Sequence, residues 1–320
     1  MLRDVINNFN KQFAYKPELK NGSKLKKFER FIVVGMGGSN LVADLLKIWK
    51  PDINIIIHRN YGLPQLKRGG RLVILSSYSG NTEEVISSFQ VARKEKLPMA
   101  VITSGGRLLS LAKKHSVPYV AMSETGIQPR SAVGYSLLAL LKIMKEEKAI
   151  KETARLAKTL RPEVYEREGK DLAGKLKNRV PVVYASDKNR ALALNWKVRF
   201  NETSKAPAFY NVWPELNHNE MTGFDARGVT KNLAKQFAFI FLKDNTDSAD
   251  IKKRQHITQK LYQDRGLSVT SVDVRGVNIW QKIFSSLSLA DWTSYYLAEN
   301  YHVEPEAVPM VEEFKKRMAH

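Results

Sequence analysis

The chain has 320 residues, of which 43% are hydrophobic and 9% aromatic, so it is long and apolar enough for about two folded domains, and wholesale disorder is excluded. It contains no cysteine, which excludes a disulfide scaffold, a cysteine-ligated zinc site and a cysteine nucleophile. Lys and Arg number 52 against 32 Asp and Glu, and the resulting net charge of +20 favours anionic partners of some kind.

The basic residues are scattered along predicted helices and form no arginine-rich arm, so we expect solvated helix faces and no nucleic-acid partner. The longest nearly apolar stretch, residues 132–141, is far shorter than the roughly 20 residues that cross a bilayer. The first residues, Met1-Leu2-Arg3-Asp4, lack the apolar centre of a signal peptide. We therefore expect a cytoplasmic protein that does not bind membranes.

In the first half, short β-branched runs alternate with helical patterns. The predicted strands cover residues 31–34, 53–58, 72–77, 98–103 and 117–122. Strands that are separated by helices of this length indicate a parallel sheet covered on both faces.

The same alternation restarts in the second half. A helix at 132–148 is followed by a charged helical stretch at 151–178, which we interpret as the bridge between the halves. The later predicted strands cover 180–185, 236–242 and 268–274, and the later predicted helices cover 189–200, 250–266, 277–300 and 308–318. We therefore predict an N-terminal domain at residues 1–150 and a C-terminal domain at 151–320.

Two loops after strands of the first half are rich in glycine and hydroxyl groups. They are Gly35-Met36-Gly37-Gly38-Ser39 and Ser77-Tyr78-Ser79-Gly80-Asn81-Thr82. Ligands of open parallel sheets bind beyond the carboxyl ends of the strands, where glycine lets backbone N–H groups and a helix start approach an anion. The two loops together favour a phosphate site built from dipoles.

Each loop alone also fits tight strand-to-helix turns with Ser and Thr caps, and that alternative stays open at this point. The first loop lacks the dinucleotide fingerprint, because Asn40 occupies the place of its third glycine. The P-loop pattern is absent as well.

Two polar stretches of the second half have neither helical nor strand periodicity: residues 201–205 and 214–220. They are dense in Asn, Glu and His, which transfer protons and bind sugars through hydrogen bonds. Taken singly, Glu202 also fits a helix-terminal carboxylate and His218 a loop histidine. No His-Glu-x-x-His or Gly-x-Ser-x-Gly pattern points to a metal or a serine nucleophile.

The two glycine and hydroxyl loops resemble those of the sugar isomerase (SIS) domain. With residues 126–131, Asn201-Glu202 and 214–220 added, the chain is similar to the bifunctional phosphoglucose/phosphomannose isomerases. The likeness runs from about Phe31 to Lys315. The first two motifs occur in all SIS proteins, and the later ones are specific to the isomerase branch.

The resemblance implies two SIS-type, flavodoxin-like α/β domains of three layers, each with a mostly parallel sheet flanked by helices. It implies a homodimer with each active site at the subunit interface and no metal or organic cofactor. It also implies the interconversion of glucose 6-phosphate and mannose 6-phosphate with fructose 6-phosphate, by proton transfer through a cis-enediol or enediolate.

The resemblance further implies roles for individual residues. Glu202 would move a proton between C1 and C2, His218 of the partner subunit would open the sugar ring, Arg130 would stabilise the enediolate, and Lys315 would reach the site from the C-terminal segment. The phosphate would be held by the hydroxyls and amides of Ser39, Ser77, Ser79, Thr82, Gly37 and Gly38. General chemistry agrees, because a carboxylate can take and return a proton, a fixed guanidinium stabilises developing charge, and histidine exchanges protons near neutral pH.

Two other functions remain open from the sequence: a non-catalytic SIS sensor of sugar phosphates, and an SIS isomerase of another sugar phosphate. A sensor needs the phosphate loops but not Glu202 or His218. A DNA-binding regulator would also carry a helix-turn-helix, for which we expect too little chain before Phe31.

Overall fold

The computed structural model describes residues 1–65, 70–123 and 125–318. The chain forms two compact units. The first consists of Asn8–Leu160, and the second of Met1–Asn7 together with the described residues from Arg161 onward. The predicted boundary lay at 150/151, ten residues before this one.

The chain starts with α1 (Leu2–Asn7), which belongs to the second unit because Leu2 and Ile6 are buried against Trp292. Pairing between the start of the chain and a distant helix has no local sequence signal, and the predicted domain boundaries did not include it.

The first unit is built on a six-stranded sheet. Its strands are β1 (Leu19–Lys20), β2 (Arg30–Val34), β3 (Asn54–His58), β4 (Arg71–Ser76), β5 (Met99–Thr103) and β6 (Tyr119–Ala121). The strand order is β1-β6-β5-β4-β2-β3, with β1 antiparallel at the edge and the other neighbours parallel. The parallel part has the flavodoxin-like order.

Helices cover this sheet and bury its central strands on both faces. They are α2 (Gly38–Trp49), α3 (Glu83–Lys94), α4 (Gly106–Lys114), α5 (Val133–Ile143), α6 (Glu147–Ala154) and α7 (Leu156–Thr159). One face of β2 and β4 packs through Val34 and Leu75 on Phe89 of α3 and Leu108 of α4. Burial on both faces explains why these strands read as continuous apolar runs.

The stretch 151–178 is mostly helical, as predicted, and it contains the boundary between the two units. It is divided among α6, α7, a 3₁₀ turn at Pro162–Tyr165 and α8 (Glu166–Leu176). Pro162 has no backbone N–H to continue a helix and disfavours helical geometry at Arg161. The helices before this break pack on the first unit, and α8 belongs to the second.

The second unit contains an all-parallel sheet. Its strands are β7 (Val180–Ser186), β8 (Phe209–Trp213), β9 (Phe237–Lys243) and β10 (Ser268–Asp273), in the order β10-β9-β7-β8. The later helices are α9 (Arg190–Glu202), α10 (Glu220–Gly223), α11 (Lys231–Ala234), α12 (Ala249–Asp264), α13 (Ile279–Tyr301) and α14 (Pro309–Met318). The predicted α/β class with mostly parallel sheets flanked by helices is confirmed, although β1 and β8 were not predicted.

In each sheet, the second parallel strand lies on one side of the first, and the later strands are added on the other side. In the first unit, this places the crevice beyond the carboxyl ends of β2 and β4, and in the second beyond those of β7 and β9. Within the described part of the chain, no helix is both long and apolar enough to span a bilayer.

Candidate active site

The loop after β2 forms the start of α2. Gly37 has φ +48°, a conformation that glycine adopts at little cost, and it precedes the first helical residue, Gly38. Gly38 and Ser39 are buried, whereas Gly37 is exposed. Asn40 fastens the turn, because its Nδ2 donates to the Gly35 carbonyl at 2.9 Å. Backbone N–H groups at the start of α2 are thus directed to the crevice between β2 and β4.

The loop after β4 is tied together by its own hydroxyl groups. Ser77 Oγ lies 2.8 Å from Thr82 Oγ1 and accepts a hydrogen bond from Gly80 N at 3.0 Å. Ser79 is exposed, and its Oγ accepts from Asn81 N at 3.3 Å. Thr82 is the residue before α3. The hydroxyls and a helix start therefore lie on one short loop.

Ser39 joins the two loops. Its Oγ accepts a hydrogen bond from Tyr78 N at 2.9 Å, and its carbonyl accepts one from Ser76 Oγ at 3.1 Å. The second loop also packs against the segment that follows β5. A Cβ added to Gly80 would lie 1.9 Å from the Gly105 carbonyl oxygen. The structure thus brings Gly38, Ser39, Ser77 and Thr82 to one edge of the sheet.

Arg130 lies beside the first of these two loops, which together (residues 35–39 and 77–82) we call the cradle. It is 1% exposed and sits in the 3₁₀ turn Pro129–Ser131. Gly38 touches that turn closely, since a Cβ on Gly38 would lie 2.8 Å from Arg130 N. Gln12 fixes the end of the turn by donating from Nε2 to the Ser131 carbonyl at 2.7 Å. The turn that carries the buried Arg130 is therefore packed directly on the first of the two loops.

Glu202 is the last residue of α9 and is half-buried. The turn that follows is held by several contacts: Lys205 Nζ donates to the Glu202 carbonyl at 2.6 Å, and Asn201 Nδ2 donates to the Ala206 carbonyl at 2.9 Å. One turn earlier, buried Arg199 forms an ion pair with Asp291 at 2.6 Å. The carboxylate thus stands at a rigid helix end, whereas the sequence placed it in an aperiodic segment.

His218 follows β8 and the short 3₁₀ turn Glu215–Asn217, and its side chain is exposed. Its backbone N donates to the Glu215 carbonyl at 2.9 Å. Two residues later, Glu220 accepts hydrogen bonds from Tyr184 and Asn211, both at 2.5 Å. No sequence motif singled out Tyr184 or Asn211, because both lie on strands and meet this segment only after folding.

Glu202 and His218 lie at opposite edges of the second unit's sheet. Helix α9 starts just after the carboxyl end of β7 and returns to the amino end of β8, so Glu202 lies at the amino edge. Its 13 residues span about 20 Å. His218 instead follows the carboxyl end of β8. On one chain the two residues are therefore separated by the length of the strands of this sheet.

Lys315 lies on α14, whose described residues are all exposed. The apolar side chains of this helix are exposed as well; Phe314 is 61% and Met310 82% exposed. Across residues 1–65, 70–123 and 125–318, no three His, Asp or Glu side chains are grouped so that they could hold a metal ion.

Comparisons with known proteins identify relatives of this chain. Residues 165–318 match the family described as the bacterial phospho-glucose isomerase C-terminal SIS domain. The bifunctional phosphoglucose/phosphomannose isomerase of Caldicellulosiruptor bescii is 33% identical over 92% of this chain and 91% of its own length. The protein of the same name from Aquifex aeolicus is 30% identical over 98% of this chain and 97% of its own.

Solved structures share the fold at lower identity. The glucosamine-6-phosphate deaminase of Thermotoga maritima has a TM-score of 0.66 and 18% identity, covering 95% of each chain. The similarity to the relatives from Caldicellulosiruptor and Aquifex covers nearly the whole length of the chain, and therefore both units. On that basis the chain belongs to the bifunctional phosphoglucose/phosphomannose isomerase family.

Proposed function

We propose that this protein interconverts glucose 6-phosphate and mannose 6-phosphate with fructose 6-phosphate in the cytoplasm, without a metal or organic cofactor. The observation that carries the proposal is the contact between the phosphate cradle and the Arg130 turn at Gly38. A cradle alone would serve any phosphate-binding protein, whereas a buried guanidinium residue fixed against it suits a reaction that develops negative charge.

The phosphate is the handle of the substrate. Its dianion would accept hydrogen bonds from the amides of Gly37 and Gly38 and from the hydroxyls of Ser39, Ser77, Ser79 and Thr82. The loops contain no cation of their own, so the start of α2 and the hydroxyl dipoles supply the attraction. Because the phosphate takes no part in bond changes, its binding serves to orient C1 and C2.

Glu202 would act as the base. It takes the proton from C2 of the open-chain aldose, so that C1 and C2 become doubly bonded and the electrons of the C1 carbonyl bond move to O1. A proton then passes from O2 to O1, and Glu202 returns its proton to C1 as the C2 carbonyl of the ketose forms. The rigid end of α9 fixes the carboxylate for both transfers. Arg130, together with Lys315 from α14, would stabilise the negative charge on O1 and O2, which is greater in the enediolate than in the substrate.

His218 would open the sugar ring by exchanging protons with the ring oxygen and the O1 hydroxyl, a step suited to imidazole near neutral pH. The location of Glu202 and His218 at opposite edges of one sheet supports a site in which His218 comes from a partner subunit. We therefore propose a homodimer with two shared sites. Helix α14 exposes apolar side chains, Met310 and Phe314 among them, which supports contact of this helix with the partner subunit.

Action on both aldose phosphates requires only that the enediolate be protonated at C2 from either face. The intermediate is planar at C2, and a rotation about C2–C3 presents the second face to the same base. The names of the curated relatives, which pair phosphoglucose with phosphomannose isomerase, support this breadth.

The test is an assay of purified protein with fructose 6-phosphate and a chelator, in which glucose 6-phosphate and mannose 6-phosphate are followed separately. Glu202→Gln should lower kcat by about a hundredfold or more for both products while retaining affinity for the substrate. The matched control is Glu299→Gln, which changes an exposed carboxylate in the last turn of α13 and should retain full activity.

Wild-type turnover by Glu202→Gln would show that the base is another residue. Binding of fructose 6-phosphate without any turnover by the wild type would replace the isomerase by a sugar-phosphate sensor. Sedimentation analysis tests the dimer separately, because a monomer with full activity contradicts a site shared between subunits.

A further inference from the structure

Tyr184 stands at the centre of a buried aromatic cluster in the second unit. It lies on β7, is 0% exposed, and packs its ring against Trp213, Phe239, Phe241 and Tyr262 with centroid separations of 5.4–6.4 Å. Such a ring has no freedom to turn away from its neighbours. Its hydroxyl is therefore a hydrogen-bonding group at a fixed position.

That hydroxyl donates to Glu220. Tyr184 OH lies 2.5 Å from Glu220 Oε1, and Asn211 Nδ2 lies 2.5 Å from Oε2. The two donors come from neighbouring strands, β7 and β8. Burial raises the pKa of Tyr184, and the adjacent Tyr262 and Glu220 raise it further, so the phenol keeps its proton and remains a donor. Each carboxylate oxygen is thus held by a separate strand.

The segment around Glu220 transfers this anchoring to His218. Asn219 Oδ1 accepts from Glu220 N at 2.5 Å, and Asn219 Nδ2 donates to Glu215 Oε1 at 2.8 Å. On the other side of His218, Asn217 Nδ2 donates to Thr258 Oγ1 at 2.8 Å. The backbone that carries the imidazole is therefore fixed on both sides.

The imidazole itself has no such support. His218 is exposed, and within the described ranges of the chain no hydrogen bond to its ring nitrogens is found. Its location is therefore set by its backbone. Displacing that backbone by about 1 Å would be enough to cost a proton-transfer group much of its effect.

We propose that Glu220, held by Tyr184 and Asn211, is a positioning residue that sets the location of His218 for ring opening. The inference rests on the proposed function, in which His218 exchanges the protons of the sugar ring. It adds three residues, which act through His218, to those on which the reaction depends.

The first test compares two buried hydroxyls of the same cluster. Tyr184→Phe removes the donor to Glu220, and Tyr262→Phe is the matched control. The Tyr262 hydroxyl is equally buried and lies 3.4 Å from that of Tyr184, so both variants lose this contact, but Tyr262 makes no hydrogen bond to Glu220 within the described residues. Tyr184→Phe and Glu220→Gln should lower kcat/KM for glucose 6-phosphate about tenfold to a hundredfold. Tyr262→Phe should leave it unchanged. Equal losses in the two Tyr variants would contradict the inference.

The second test asks whether Glu220 acts through His218. When Glu220→Gln is added to His218→Ala, no further loss of kcat/KM should follow, because the residue that it positions is already absent. A further loss by the same factor as in the wild-type background would show that Glu220 acts on something else.

The third test does not depend on turnover. The imidazole signal of His218 in a two-dimensional NMR spectrum is assigned as the one that disappears in His218→Ala, among the six histidines of the chain. Tyr184→Phe and Glu220→Gln should shift or broaden that signal, and Tyr262→Phe should not. An unchanged signal in both variants would overturn the positioning role. If the wild type fails to isomerise hexose phosphates, the proposed function fails, while this comparison still decides the role of Glu220.

Discussion

Gly38 and Arg130 are in contact through their backbones. A Cβ on Gly38 would lie 2.7 Å from the carbonyl carbon of Pro129 and 2.8 Å from Arg130 N, distances that real Cβ atoms do not adopt. The first turn of α2 can approach the Arg130 turn only because residue 38 has no side chain. The glycine thus allows the start of α2, where the phosphate would bind, to pack against the turn of Arg130, which would stabilise the developing negative charge.

Gly38→Ala should therefore impair both binding and catalysis. The methyl group must push the Pro129–Arg130 peptide away, which shifts the guanidinium and the start of α2 together. We expect kcat to fall and KM for fructose 6-phosphate to rise, with a combined loss in kcat/KM of about a hundredfold. Steady-state kinetics measure both parameters.

Gly174→Ala is the matched control. Gly174 lies on α8, is exposed, and has no atom within 4 Å of an added Cβ. Alanine in a helix interior is more favourable than glycine by about 0.5–1 kcal/mol, so this variant should melt at a slightly higher temperature with unchanged kinetics. Full activity of Gly38→Ala would show that the Arg130 turn can shift to accommodate the methyl group without an effect on binding or catalysis.

Thr82→Val should weaken phosphate binding alone. Its Oγ1 pairs with Ser77 Oγ at 2.8 Å, and valine keeps the shape of threonine while removing the hydroxyl. A hydrogen bond to a charged group contributes about 1.5–3 kcal/mol, so KM for fructose 6-phosphate should rise about tenfold or more with little change in kcat. Inorganic phosphate, as a competitive inhibitor, should lose affinity by the same factor. A fall in kcat at constant KM would assign Thr82 to another role.

The sequence analysis predicted features that depend on residues close together in the chain, and it missed features that depend on residues far apart. The loops at Gly35–Ser39 and Ser77–Thr82 were predicted to share one sheet edge, because strand–loop–helix order is local and the topology of parallel sheets is restricted. Strand β8 was missed, because its five residues include Asn211 and pair only with β7. Without β8, the opposite locations of Glu202 and His218 could not be seen.

His218→Ala should slow the exchange of the two anomers of glucose 6-phosphate, which Glu202→Gln should leave unchanged. Interconversion of the α and β forms of glucose 6-phosphate needs ring opening but no proton transfer at C2. Two-dimensional exchange NMR should therefore find accelerated anomer exchange with the wild type and with Glu202→Gln, and little with His218→Ala. Exchange at the wild-type rate in His218→Ala would remove the ring-opening role.

The crevice of the second unit, between β7 and β9, is filled by charges of the chain itself. Asp244 is 2% exposed and accepts hydrogen bonds from Lys282 Nζ at 2.5 Å, from Asn189 Nδ2 at 3.2 Å and from Thr246 N at 2.9 Å. Lys188 pairs with the same carboxylate at 3.2 Å. A carboxylate thus occupies the position in this sheet that corresponds to the proposed phosphate site of the first.

Asp244→Asn should destabilise the protein in a pH-dependent way. Burial acts to raise the pKa of Asp244, but the hydrogen bonds from Lys282, Thr246 and Asn189 outweigh it and hold that pKa well below its usual range. A carboxyl whose pKa is lowered by folding stabilises the protein above its unfolded pKa of about 3.9, and this stabilisation is lost as the pH falls towards the folded pKa.

The variant leaves Lys282 buried without its charge partner, so the free energy of unfolding at pH 7 should fall by roughly 3 kcal/mol. Between pH 5 and 7 the difference from the wild type should stay constant, since Asp244 is ionised in both the folded and the unfolded chain. Below about pH 4 the difference should shrink, because protonation of the unfolded wild type removes its advantage. Thermal melting of both proteins from pH 3 to pH 7 measures this. A constant difference down to pH 3 would mean that the charge of Asp244 contributes nothing and that its loss acts through packing alone.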